Sequence, residues 1–142
     1  MRVLGVDYGR VRLGLAMSDE GSVLASPLPH YRRARSLRDD LRYIANLASK
    51  HDIKRIVIGL PLHMNGSIGE MAEEAAGFAD EVERATGLVV ERIDERLTTA
   101  EAERTLLEAD ISRKKRKGLR DSLAAVLILQ SYLDREGSGG WQ

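Results

Sequence analysis

With 142 residues, and 22 basic side chains balancing 22 acidic ones, the chain suits one domain with a real core and carries no global field to draw it to nucleic acid or a membrane. Any charged partner has to be met by a local patch, and the absence of cysteine excludes disulfides and thiolate metal sites and fits a reducing compartment. The start at Arg2 shows no signal-peptide core and no apolar run near the roughly 18 residues of a membrane span, so a soluble cytoplasmic protein is expected.

Residues 3–7 and 13–18 read as two strands joined by a glycine-bearing loop, a hairpin. Residues 23–28 suggest a third strand, with Pro27 and Pro29 at its edge or end. Ser36 with Asp39 resembles a capping box, after which Leu37, Leu41, Ile44 and Ala48 recur at helical spacing toward an end near His51. Residues 55–60 form a β-branched strand closed by Pro61. Met71, Ala75, Phe78, Ala79 and Val82 mark a second helix that stops before Gly87. Residues 88–90 lead a further strand into Ile93, Asp94 and Glu95. Thr98, with Glu101 as its box partner, caps a third helix through Leu106 and Leu107. Residues 121–133 are apolar enough for a helix buried on most of its surface. This order implies an α/β domain over residues 1–135 with a mixed five-stranded sheet, its first three strands antiparallel and the remainder parallel, flanked by helices. Residues 136–142 read as a flexible tail.

The most informative stretch is the first fourteen residues. Asp7 closes an apolar run between glycines, and a carboxylate at the edge of a buried strand costs several kcal/mol unless a positive group neutralises it. The flanking glycines leave room for a close-approaching metal or phosphate. Two further acidic places stand out: Asp94 and Glu95 at the end of the last strand, and Asp121 at the start of the last helix. If the first strand is central, the first and last strands can lie side by side and their ends can meet, with Asp121 brought to the same rim. Oxygen ligands gathered there suit divalent cations, and two such ions clamp the attacking and leaving oxygens of a phosphodiester displacement. Adjacent strand residues point to opposite faces, so only one of Asp94 and Glu95 belongs to such a site. Asp121 also suits a helix N-terminus on its own account.

Four blocks, in order, carry a family resemblance: Asp7-Tyr8-Gly9 with Arg12 and Gly14; Gly59-Leu60-Pro61-Leu62 with Gly66; Asp94-Glu95-Arg96-Leu97-Thr98-Thr99; and Asp121-Ser122-Leu123-Ala124-Ala125. The chain resembles the YqgF/RuvX family, small bacterial relatives of RuvC-type Holliday-junction resolvases with an RNase H-like fold. The resemblance implies that Asp7, Glu95 and Asp121 are catalytic and metal-binding, with Mg²⁺ or Mn²⁺, two ions, as cofactor. It also implies a nuclease that matures the 5′ end of 16S ribosomal RNA precursor or cuts branched DNA in recombination and repair. His63, where an asparagine is common, and Leu119-Arg120 before Asp121 depart from the usual pattern without touching the acids.

Arg113, Lys114, Lys115, Arg116, Lys117 and Arg120 place six cations in eight residues before Asp121, a candidate phosphate-binding loop. Arg10 and Arg12 in the first hairpin are candidates for the same work, and Tyr8 for packing a sugar or base. Arg32, Arg33, Arg35 and Arg38 read as a mixed-charge helix start. His30, His51 and His63 lack metal-ligand spacing. Two rivals remain at this level: a sugar-kinase or actin-like ATPase, whose cleft needs a second domain, and a ribosome-assembly factor that binds nucleic acid without cutting it. A symmetric junction needs two coordinated cuts, which favours a homodimer.

Overall fold

The computed structural model describes residues 1–63, 65–97 and 122–139. The chain forms β1 (Arg2–Asp7), β2 (Arg12–Ser18), β3 (Ala25–Arg32), α1 (Leu37–Lys50), β4 (Ile53–Leu60), α2 (Glu70–Thr86), β5 (Val89–Asp94), a 3₁₀ turn (Glu95–Leu97) and α3 (Leu123–Gly139). The expected helix beginning at Thr98, the basic loop 113–120 and Asp121 lie outside the described residues.

The strands form one five-stranded sheet in the order β3-β2-β1-β4-β5. β1 pairs antiparallel with β2, and β2 with β3; β1 pairs parallel with β4, and β4 with β5. The mixed sheet therefore has the expected pairing senses, with β1 central. Strand adjacency differs from the expectation: β4 lies between β1 and β5. It is the first parallel strand formed after β1, and the α2 crossover adds β5 outside it, as connections between parallel strands normally proceed. β3 also differs, running through both prolines to Arg32 instead of ending at them. It is an edge strand, where the missing proline N–H groups face outward and cost no ladder bond.

Both faces of β1 and β4 are covered, which explains why they read as nearly continuous apolar runs. On one face Leu4, Val6, Leu15, Ile56 and Ile58 meet Ile44 of α1 and Phe78, Ala79 and Val82 of α2. On the other, Val3, Ala16, Val57 and Ile93 meet Ala125, Ile128, Leu129 and Tyr132 of α3. The Ser36 hydroxyl caps α1 by accepting from the Asp39 N–H at 3.2 Å, and Gly87 ends α2 with φ of 71°. The final helix runs to Gly139, so the first four residues of the expected tail are helical, each added turn extending an existing hydrogen-bonded ladder.

Ser122, just before α3, and Gln130 within it carry polar side chains into this interior, and both find backbone to bind. The Leu15 N–H donates to Ser122 Oγ at 3.3 Å, and that hydroxyl donates to the Leu28 carbonyl at 2.6 Å, where the β2–β3 register shifts. Gln130 accepts from the Ala25 N–H at 2.9 Å and donates to the Val23 carbonyl at 3.0 Å. These bonds fix α3 along β2 and β3, since a buried polar group left unpaired costs about 1–3 kcal/mol.

α3 comes close to the sheet over Gly5, where an added Cβ would stand 2.8 Å from Leu129 Cβ and 3.2 Å from the Ala125 carbonyl oxygen. Neither atom is the end of a flexible chain. Gly5→Ala is expected to destabilise the fold by about 1–3 kcal/mol, as overpacking does; an unchanged thermal midpoint would show that α3 sits farther from β1 than described.

Candidate active site

Three strand ends and one missing side chain build the site. Along β1, Val3 and Gly5 face α3, so Asp7 by alternation emerges on that same face at the strand's end. Asp7 is in register with Gly59 of β4, and Gly59 with Ile93 of β5. Ile93 also faces α3, and two residues later Glu95 opens the 3₁₀ turn. A side chain at position 59 would stand in the way: its Cβ would lie 2.6 Å from Ile128 Cδ1 and 2.9 Å from both Cγ and Oε1 of Glu95. Through that gap Glu95 reaches across β4 and hydrogen-bonds Asp7.

Burial dominates the electrostatics of the pair. It pushes the Glu95 carboxyl up to about 7, reinforced by the hydrogen bond with Asp7 and by the negative charges of Asp7 and Asp94. Burial raises Asp7 as well, opposed by the hydrogen bond from Glu95. Below about pH 7 a protonated Glu95 can therefore donate to Asp7, so that one proton holds together two groups that would repel if both were charged. Asp94 takes another course. Its carboxylate accepts from Arg96 Nε at 3.0 Å and from the Arg96 backbone N–H at 2.9 Å, and Arg96 holds it below the usual carboxylate range. The strand-end alternation left the two acids undecided; the fold turns Glu95 to Asp7 and Asp94 to Arg96.

The loop after Asp7 is braced from the other face. Arg33 donates through Nη1 to the Gly9 carbonyl at 3.2 Å and through Nε to Asp40 at 2.8 Å. Its guanidinium lies over the rings of Tyr8 and Phe78, 5.1 and 5.3 Å from their centroids. Asp40 is 1% exposed and also accepts from the Ala34 N–H at 2.8 Å, so its charge is compensated in place. Tyr8 packs on Phe78 with centroids 5.3 Å apart. That inward position corrects its expected role against a sugar or base, because the apolar pocket between α1 and α2 takes the ring. Neither Arg33 nor Asp40 stood out in the sequence; their pairing over seven residues crosses a strand end and a helix start and follows no local spacing rule.

The predicted cations divide. Arg10 faces α2, with Nε 3.1 Å from both Glu74 oxygens and Nη2 3.5 Å from Glu70, and Glu74 is lowered by that bond. This commits Arg10 to α2 in the free protein. Arg12 is exposed at the start of β2, in register with Arg32. Arg113, Lys114, Lys115, Arg116, Lys117, Arg120 and the third acid, Asp121, lie outside the described residues.

The family model described as "RuvX: Holliday junction resolvase" matches residues 1–135. The chain belongs to this family. Relatives described as "Putative pre-16S rRNA nuclease" include one from Halalkalibacterium halodurans, 47% identical over 137 residues, covering 96% of this chain and 98% of its own. Another, from Natranaerobius thermophilus, is 43% identical over 136 residues and covers 96% of both chains. Among solved structures, Thermus thermophilus RuvC in complex with a Holliday junction superposes with a TM-score of 0.62 over 99% of this chain and 97% of that one, at 16% identity. The fold of this RuvX-family chain is accordingly RNase H-like. A ROK family protein from Streptococcus pneumoniae, in complex with sucrose, shares the fold at TM-score 0.53 and 16% identity, but only 39% of that chain is matched.

The raised Glu95 carboxyl makes stability depend on pH. A folded-state value of about 7 against an ordinary 4.5 means that the folded form holds this proton more tightly than the unfolded one. The associated stability is fully present below about pH 4.5 and is lost as pH rises through 7. In EDTA, Glu95→Gln should therefore gain in thermal midpoint relative to the natural protein between pH 4.5 and 7.5; a difference constant across that range would show that the two carboxyls do not share a proton.

Proposed function

We propose that this protein is a metal-dependent nuclease that hydrolyses phosphodiester bonds in structured nucleic acid, with the 5′ end of 16S ribosomal RNA precursor as its substrate. The observation that carries the proposal is the meeting of Asp7 and Glu95 across Gly59, in a chain whose relatives bear the nuclease description above. The donor set fits Mg²⁺ or Mn²⁺: hard carboxylate oxygens, half-buried, of like charge, and now bridged by a proton.

In this proposal Asp7 and Glu95 hold the cations, with Asp121 as the third ligand. Asp121 adjoins Ser122 in sequence, and Ser122 is pinned to β2 and β3 under α3, the helix on the Asp7 face. When bound, two such cations activate a water and stabilise the leaving oxygen of an in-line displacement. Glu95 gives up its proton as the cations bind, which frees both carboxylates for ligation. Arg33 keeps the Tyr8-Gly9 backbone fixed, so the Asp7 carboxylate is oriented before substrate arrives. Arg12 and the loop cations Arg113, Lys114, Lys115, Arg116, Lys117 and Arg120 neutralise substrate phosphates, with Arg10 joining them on release from Glu74.

A second reading, resolution of a four-way DNA junction by a homodimer, draws on the family's description and the RuvC likeness. Side-by-side cleavage of a precursor 5′ leader and a four-way junction, with and without Mg²⁺ or Mn²⁺, separates the two. Asp7→Asn and Glu95→Gln should each lose more activity than the about 10–100-fold typical of removing an outer-shell partner; full cleavage by Asp7→Asn would refute the site, and metal-independent cleavage would refute the cofactor. Without any substrate, metal at about a hundred times its Kd should stabilise the natural protein by about 2.7 kcal/mol and leave Asp7→Asn unchanged; equal stabilisation of both would place the metal elsewhere.

A further inference from the structure

Four of the exposed arginines described are committed to carboxylates: Arg10 to Glu74, Arg84 to Glu81, Arg92 to Asp80 and Arg96 to Asp94. The corner between β3 and α1 breaks this pattern. Arg32, Arg35, Arg38 and Arg42 are all exposed, and among the described residues none of them makes an ion pair. Of the two acids nearby, Asp40 is buried and taken by Arg33 and the Ala34 N–H, which leaves only Asp39 on the surface. Arg38 and Arg42 stand one helical turn apart, an arrangement in which like charges repel. In a chain of zero formal charge, this is a concentrated local positive field held against its own repulsion.

Its placement connects it to the acid pair. β2 runs antiparallel to β1, and β3 antiparallel to β2, so the end of β3 and the start of α1 share the sheet rim on which Asp7 sits. Tyr31 packs toward α1 and α2, so Arg32, its neighbour, alternates to the Asp7 face. Two strand spacings of about 4.8 Å separate β1 from β3, about three nucleotide rises of 3.4 Å. The corner is also rigid. Arg33 ties it to the Gly9 carbonyl, and Tyr31 stacks on Tyr43 of α1 with centroids 4.0 Å apart and planes at 16°. The backbone that carries these arginines therefore keeps a fixed offset from Asp7.

We propose that Arg32, Arg35 and Arg38, continued by Arg42, form a phosphate-binding track that grips the nucleic-acid backbone a few nucleotides from the cleaved bond. This deepens the nuclease proposal and rests on it for the location of that bond. The partner is recognised by its phosphodiester charge, which RNA and DNA share, and the fixed spacing selects a backbone that runs along the rim past β2.

The test compares two triple variants of the full chain that remove equal charge. Arg32→Gln/Arg35→Gln/Arg38→Gln empties the track; Lys50→Gln/Lys54→Gln/Arg84→Gln removes three cations from the opposite rim, where α1 and α2 end and β4 begins. Binding of a fluorescent RNA stem with a single-stranded 5′ leader, and of its DNA counterpart, is followed by anisotropy across a salt series in EDTA. Circular dichroism verifies the fold of both variants. The track variant should reduce the slope of log K against log salt by about two to three, the loss of three phosphate contacts, and the opposite-rim variant by less than one. Equal reductions in both, a reduction in neither, or no binding of either probe by the natural protein would overturn the assignment. RNA and DNA responding alike, or only one of them responding, identifies the backbone while upholding the track. Because no cleavage is required, a lost slope in a protein that proves unable to cut removes the nuclease proposal and leaves the track standing.

Discussion

A carboxyl at the end of β1 and another just past the end of β5, strands that do not touch, meet because the strand between them offers no side chain at the crossing point. Gly59 sits at the centre of that arrangement: it is in register with Asp7 on one side and Ile93 on the other, and its bare Cα lets Glu95 fold inward beside Ile128. The rest of the domain serves this crossing. α3 closes the face on which the acids lie, fixed by Ser122 and Gln130 to backbone atoms of β2 and β3, and Gly5 lets it descend onto β1. The opposite face, filled by α1 and α2, holds the loop after Asp7 through Arg33, Asp40 and Phe78.

The electrostatic state of the pair follows from its burial. Two ionised carboxylates at hydrogen-bond distance in a half-buried setting repel strongly, and this, together with burial, raises the Glu95 carboxyl to about 7, so that below that pH a proton relieves the repulsion. A divalent cation relieves it more completely, because it compensates both charges at once and accepts the oxygens that the proton left unused. In the proposed nuclease the fold would hold both carboxyls in place, and a bound cation would take the place of the proton between them.

Much of this was legible in the chain. The apolar runs before Asp7 and Gly59 mark buried strands, the spacing in α1 and α2 gives their buried faces, and a carboxylate ending an apolar run at Asp7 flags itself by its cost. The meeting of Asp7 with Glu95 was legible through the four family blocks, whereas strand alternation alone left Asp94 and Glu95 open. What escaped was non-local. The position of β4 between β1 and β5, and hence the need for glycine at 59, depends on the order in which parallel strands are added. The pairing of Arg33 with Asp40 made two residues of an apparent mixed-charge helix start into a buried brace, and it took Tyr8 inward with it. The same pairing removes the acid that would otherwise have offset Arg32, Arg35 and Arg38, so the surface field at that corner emerges only once the chain is folded.

The central claim is that the Asp7 and Glu95 carboxylates jointly ligate a divalent cation. A crystal of the protein grown with Mn²⁺, with diffraction recorded for anomalous scattering, tests it most directly. The account predicts an anomalous peak between the two carboxylates at about 2.0–2.2 Å from an oxygen of each, with their mutual hydrogen bond broken. A manganese peak elsewhere on the molecule, with Glu95 still hydrogen-bonded to Asp7, would contradict it.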